Sequence, residues 1–170
     1  GIHVILATPS GARPAWLARK YPEVLRVSGS LQRAAFGGRQ NHCYTSPVYR
    51  EKTRRIDFEL AKRFGGHPAV ILWHVSNEFG GECFCPLCRA AFREWLKRKY
   101  GSLEKLNAEW YTSFWSHRYT DWDQIDPPLK TGETRVHAQT LDWKRFVTDQ
   151  TLDFYREEVK TIRSTAPGVP

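Results

Sequence analysis

Apolar residues collect in two short unbroken runs and in several longer stretches at helical spacing. Ile2-His3-Val4-Ile5-Leu6-Ala7 and Ala69-Val70-Ile71-Leu72-Trp73-His74-Val75 are rich in β-branched residues on successive positions. That pattern predicts strands covered on both faces, as in a parallel sheet. Thr8-Pro9-Ser10-Gly11 ends the first run and Ser76-Asn77-Glu78 the second. Pro14 to Tyr21 reads as a short helix containing Trp16 and Leu17. Ser28 to Ser46 is Gly-rich and polar without a period, as in a long functional loop. Ser46-Pro47 is a helix start, a capping hydroxyl before Pro at the first helical position. Ile56, Leu60, Ala61 and Phe64 then share one face, and Gly65-Gly66 stops the helix. Leu87, Ala91, Trp95, Leu96 and Tyr100 mark another helix, closed by Gly101. A shorter one follows from Leu103 to Trp110, then an aromatic-rich irregular segment from Tyr111 to Pro128. The last helix runs from about Thr140 to Thr165 on Trp143, Val147, Phe154, Tyr155, Val159 and Ile162.

Strand, helices, strand, helices, with crossovers long enough for parallel pairing, is an α/β order. Two parallel strands do not make an independent sheet. The natural reading is part of a (β/α)8 TIM barrel, whose whole needs about 250 residues. A doubly wound sheet is the alternative, but no Gly-rich phosphate turn follows either strand. The chain has 170 residues and no Met. It opens on a strand and closes on the turn-like Ala166-Pro167-Gly168-Val169-Pro170. We therefore expect residues 1–170 to be the central part of one barrel domain in a larger protein, with no second domain. Hydrophobic residues at 41% and aromatics at 14% can build a core, which excludes a disordered chain. No apolar run approaches the roughly 18 residues of a membrane helix, and nothing at the start resembles a signal peptide.

Barrel chemistry sits where strands end and their following loops begin. Glu78 ends a fully apolar strand and enters the loop Phe79-Gly80-Gly81. A carboxyl desolvated among aromatic neighbours holds its proton and can act as a general acid. The plainer reading is a loop Glu that caps or pairs with a nearby Arg. Glu59, Glu94, Glu104 and Glu158 lie within predicted helices and are expected in solvent.

The four cysteines carry a second signal. Cys83-Phe84-Cys85-Pro86-Leu87-Cys88 packs three of them together, and Cys43 lies in the loop after the preceding strand. A bond between Cys83 and Cys85 would strain badly. Thiolates converging on one ion suit the spacing better, so we expect a closed, structural zinc site on Cys43, Cys83, Cys85 and Cys88. Reduced thiols are the alternative, with His42 a neighbour and not a ligand.

The words around these residues resemble the family 42 glycoside hydrolases, the β-galactosidases. Trp73-His74-Val75-Ser76-Asn77-Glu78-Phe79-Gly80 is similar to the family's fourth-strand signature. Ile5-Leu6-Ala7-Thr8-Pro9 with Pro14-Ala15-Trp16-Leu17 resembles its third strand and loop. Phe36-Gly37-Gly38-Arg39-Gln40-Asn41-His42-Cys43 with Ser46-Pro47-Val48-Tyr49-Arg50, and Leu106-Asn107-Ala108-Glu109-Trp110 through Phe114-Trp115-Ser116, resemble further blocks. The resemblance implies a retaining glycosidase for terminal β-D-galactosides, spanning about strand 3 to the helices before strand 5. By it, Glu78 is the acid/base and Asn77 bonds the sugar 2-hydroxyl. It implies that Arg39 contacts the sugar and that Trp115 forms an aromatic wall. It supports the same four zinc ligands and implies a homo-oligomer, a trimer. The nucleophilic carboxylate, about 5–5.5 Å from the acid in a retaining enzyme, has no candidate here, so the chain alone is expected to be inactive.

The net charge of +8 raises a competing class, a zinc-containing nucleic-acid-binding module. The basic residues are spread along the chain and interleaved with acids, and no RNA-binding signature or recognition helix is present. We expect no nucleic-acid partner, no membrane, and a cytoplasmic protein. A third class is a carbohydrate-binding relic without its nucleophile.

Overall fold

The two apolar runs form the strands that their composition predicts. A computed structural model describes residues 1–132 and 136–170. In it β1 (Val4–Ala7) and β2 (Val70–His74) pair in parallel, Ile5 opposite Leu72 and Ala7 opposite His74. The helices are α1 (Ala15–Lys20), α2 (Pro47–Phe64), α3 (Pro86–Tyr100), α4 (Leu103–Trp110) and α5 (His137–Thr165). They belong to two compact units. The first comprises Gly1–Leu25, Ala35–Gly81 and Gln150–Pro170; the second comprises Arg26–Ala34 and Glu82–Asp149.

In the first unit, α2 starts where the Ser-Pro pair places it. The Ser46 hydroxyl accepts from the Tyr49 amide at 3.2 Å. Gly65 follows it, and a side chain is excluded there, since a Cβ would lie 2.3 Å from Ala166 Cβ. One cluster joins Leu17, Val24, Tyr44, Tyr49 and Phe154, and another joins Ala61, Trp73, Ile162 and Ala166. The face that α2 buries is not the expected one. Tyr49, Thr53, Asp57 and Ala61 point inward, whereas Ile56 is exposed. Polar partners set this phase. Tyr49 donates its hydroxyl to the Ser10 carbonyl at 2.6 Å, and Asp57 meets Glu158. Glu158 is therefore buried, contrary to the solvated position expected of it. Its place on α5, one helical step from the buried Phe154, turns it inward.

The strands depart from expectation in another way. Trp73 is buried, but several of their apolar side chains are not covered: Ile5 is 58% exposed, and Val4, Ile71 and Leu72 are exposed as well. Among the described residues the sheet has only two strands, so nothing lies over these positions.

The second unit is built on aromatic contacts. Trp143 packs on Phe84, Phe92 and Phe146 with ring centroids 4.9, 5.2 and 5.3 Å away. α3 buries Cys88, Phe92 and Leu96, a row rotated from the expected one, and leaves Leu87 exposed. Turning Cys88 inward, beside the other two cysteines of its loop, fixes that rotation. Asp142 is buried among Lys99, Tyr100 and Trp110. Burial acts to raise its carboxyl, but these donors outweigh it and hold the group below the usual carboxylate range. α5 begins at His137, slightly earlier than its apolar stripe. No helix among the described residues is long and apolar enough to cross a membrane.

The buried acid pair has a testable consequence. Burial pushes Asp57 up to about 8, with the Glu158 charge adding to the effect. Burial also raises Glu158, while its hydrogen bonds with Ser10, Asp57 and Thr8 act against that shift. The native state thus holds a proton that the unfolded chain releases near pH 4. The contribution is fully present below that range and is lost as pH rises through about 8. Asp57→Asn should remove about 2 kcal/mol of the fall in unfolding free energy between about pH 6 and pH 9, measured by urea titration of the full-length protein.

Candidate active site and cysteine cluster

Both strands end at one level because a single hydroxyl joins them. The Thr8 amide extends the ladder by donating to the His74 carbonyl at 3.0 Å. The Thr8 hydroxyl then accepts from the Ser76 amide at 2.7 Å and donates to Glu158 at 3.3 Å. Beyond this point Ser76 and Glu78 adopt left-handed backbone, with φ of 55° and 44°. Such residues cost about 1–3 kcal/mol each and persist where the surroundings over-determine them. The result turns Glu78 outward at the end of β2.

The Glu78 side chain is 67% exposed and meets Arg39, itself 66% exposed, at 2.5 Å. Asn77 is half-buried between the two left-handed residues. Glu78, Asn77 and Arg39 therefore come together, all within the first unit. Enclosure of the carboxylate by aromatic neighbours, expected from the sequence, does not occur. Phe79 turns away from Glu78, its ring 6.1 Å from Tyr44, 6.2 Å from Phe154 and 5.7 Å from Tyr155. The left-handed residue at 78 separates the two side chains.

Trp115 lies in the second unit and is not a core residue. It is 71% exposed, has φ of 52°, and tilts against Phe114 at 5.6 Å. A groove of about 540 Å³ runs past Trp110, Tyr111, Phe114, Trp115 and His117. Asn107 holds this loop in place. Its side-chain oxygen accepts from the Thr112 hydroxyl at 2.5 Å and the Tyr119 amide at 2.9 Å, and its amide donates to the Tyr119 carbonyl at 2.7 Å.

Cys83, Cys85 and Cys88 lie in the second unit, all buried, with their sulfurs within 4.8 Å of one another. Cys85 immediately precedes α3 and Cys88 sits in its first turn. The segment that starts at Arg26 seats this loop: the Val27 amide donates to Cys83 Sγ at 3.5 Å, and the Phe84 amide to the Val27 carbonyl at 2.9 Å. Cys43 lies in the first unit, fully buried, its amide donating to the Val24 carbonyl at 2.8 Å. None of the four is joined in a disulfide.

The family model for glycoside hydrolase family 42, described as β-galactosidase, matches residues 1–170. The chain belongs to this family. Among its relatives, β-galactosidase BglY of Alicyclobacillus acidocaldarius is 62% identical over 170 residues, all of this chain and 25% of that protein. β-Galactosidase GanA of Bacillus subtilis is 58% identical, again over all of this chain and 25% of the relative. Two solved structures are similar to it. Gan42B, a family 42 β-galactosidase from G. stearothermophilus, superposes with TM-score 0.96 at 62% identity, over 99% of this chain and 25% of that one. The β-galactosidase from Rahnella sp. R3 superposes with TM-score 0.98 at 54% identity, over 100% and 25%. The chain thus spans about a quarter of the length of the relatives it matches.

Thr8, Gln40 and Glu158 shape the strand-end face; from the sequence neither Thr8 nor Gln40 carries such a role, and Glu158 is expected in solvent. The signal for Thr8 was its place as the first polar residue after β1. If Thr8 sets the level of both strand ends, Thr8→Val leaves the Ser76 amide without its acceptor. The expected loss is about 1–3 kcal/mol of unfolding free energy, read from the denaturation midpoint of the full-length protein.

Proposed function

We propose that the protein carrying this chain is a retaining glycosidase that hydrolyses terminal β-D-galactosides, with Glu78 as acid/base. One observation carries the reading: in a family 42 chain, a solvent-reaching carboxylate stands at a strand end with Asn77 beside it and Arg39 in contact. Relatives named β-galactosidases support the substrate class. In this reading β1 and β2 are the third and fourth strands of a (β/α)8 barrel, and their exposed apolar faces are the surfaces its other strands cover. The family also implies trimeric assembly.

The chemistry divides between these side chains. Glu78 gives its proton to the departing glycosidic oxygen and later takes one from the attacking water. An exposed Arg–carboxylate pair is worth about 0–1 kcal/mol, so an incoming sugar separates Arg39 from Glu78 at little cost. The freed guanidinium then offers its donors to sugar hydroxyls. Asn77 bonds the 2-hydroxyl, a contact that strengthens as positive charge develops on the ring. Trp115 supplies an apolar face for the sugar. The nucleophilic carboxylate comes from residues outside this chain.

Zinc belongs to the same proposal. A tetrahedral ion with sulfur at about 2.3 Å sets sulfurs about 3.8 Å apart, and Cys83, Cys85 and Cys88 have the spacing and burial to suit it. Cys43 is the fourth ligand. Four thiolates close the coordination sphere, so the ion has a structural role and activates no water.

Ion pairs between basic and acidic side chains weigh against the nucleic-acid alternative. Arg50 and Arg54 meet Glu157, Arg89 and Arg93 meet Asp126, and Lys144 meets Glu82.

Two measurements test the proposal. In the full-length protein, Glu78→Gln should slow a β-galactoside with a poor leaving group by about 10²–10⁴-fold. A highly activated aryl galactoside should lose far less in the glycosylation step; equal rates for both proteins would show that Glu78 is structural. For the metal, elemental analysis should find one zinc per chain. Cys88→Ser should deplete it and cost about 2–5 kcal/mol of stability, without removing a catalytic group.

A further inference from the structure

The loop of residues 37–44 carries two side chains that grip the Glu78 turn from both sides. The Gln40 side-chain amide donates to the Asn77 carbonyl, immediately before Glu78, and also reaches the Ser76 hydroxyl at 3.4 Å. Its oxygen accepts from the Tyr44 hydroxyl at 2.9 Å. That hydroxyl in turn accepts from the Gly80 amide, two residues after Glu78, at 3.3 Å. The hydrogen-bond directions are self-consistent: an amide N–H meets a carbonyl, and an O–H meets the amide oxygen.

Both ends of this clasp are anchored. Tyr44 is buried in the cluster of Leu17, Val24 and Tyr49, with its ring stacked 4.9 Å from Phe154. The Gln40 amide donates to the Gly11 carbonyl at 2.8 Å, in the loop that leaves β1. A Cβ on Gly11 would stand 3.2 Å from Gln40 Nε2, so a side chain there would press on the Gln40 amide. Gln40, Ser76 and Glu78 all hold left-handed backbone, φ 52°, 55° and 44°. Isolated loops do not keep three such residues, so the clasp is what over-determines them. The preceding residue, Arg39, meets the Glu78 carboxylate itself. One dipeptide therefore fixes the backbone and the side chain of the same residue.

We infer that Gln40 and Tyr44 are positioning residues for Glu78, setting the height and direction of its carboxyl at the strand end. The inference rests on the reading of Glu78 as acid/base. An acid must reach the glycosidic oxygen in one step and water in the next, and a misplacement of about 1 Å costs up to about 10²-fold in rate. Gln40 and Tyr44 touch no reacting atom in this role; they act through the turn.

The test uses Tyr44→Phe, Gln40→Ala and Gly11→Ala in the full-length protein, with Glu78→Gln alongside. Tyr44→Phe keeps the buried ring and removes one hydroxyl. Gly11→Ala removes no polar group and pushes on the Gln40 amide. Each should lower kcat/KM for a poor-leaving-group galactoside about 10- to 100-fold while lowering it less than about threefold for an activated aryl galactoside. The pH–rate limb that reports the acid should move, and the thermal midpoint of Tyr44→Phe should stay close to that of the parent. Equal losses on both substrates, tracking lost stability, would mean a merely structural role and overturn the inference. So would unchanged rates in Tyr44→Phe and Gly11→Ala. If Glu78→Gln discriminates between leaving groups and these variants do not, the clasp alone is wrong. If Glu78→Gln spares both substrates, the acid/base reading fails and the inference falls with it.

Discussion

The Thr8 hydroxyl, placed between the ends of two parallel strands, is the contact on which this face depends. Parallel strands can present their following loops to one chemistry only if they finish level. At the finish, the first amide past the ladder needs an acceptor. Ser76 finds it in Thr8, and the Thr8 hydroxyl donates in turn to Glu158. A buried carboxyl is thereby drawn in beneath the loops, and Asp57 comes with it. Burying two acids is costly unless a proton is retained between them. The face is thus built on a hydrogen-bonded acid pair that keeps a proton.

Above that foundation, each exposed functional side chain is held by the backbone around it. Glu78 projects because its neighbours are bonded on either side. Trp115 projects because Asn107 ties together Thr112 and Tyr119, which bracket its loop. Polar side chains oriented by a packed core do this work in both units. The loop of Cys83 and Cys85 is held in a related way, by main-chain bonds to Val27.

Much of this was legible in the chain before its structure. Unbroken β-branched runs marked β1 and β2, Ser46-Pro47 and Gly65 bracketed α2, and Glu78 stood at a strand end. Three features were hidden for physical reasons. α2 turns its Asp57 row inward and leaves Ile56 outside, because long-range polar partners outweighed the local apolar stripe. Glu158 looked solvated because its partners, Thr8 and Asp57, are far away in sequence. Phe79 was expected to shield Glu78, but alternation fails where the backbone is left-handed. The role of Gln40 depends on a carbonyl it reaches across loops, and no residue pattern announces such a bond.

The uncovered faces of β1 and β2 carry one more implication. Among the described residues the sheet has two strands, and Ile5, Ile71 and Leu72 stand exposed on it. Such surfaces recruit other strands without discrimination. During synthesis on the ribosome, any interval in which these side chains wait for cover is an interval of exposure to neighbouring nascent chains. Chaperone demand and yield on overexpression should therefore follow how quickly that patch is covered, more than the final stability of the fold.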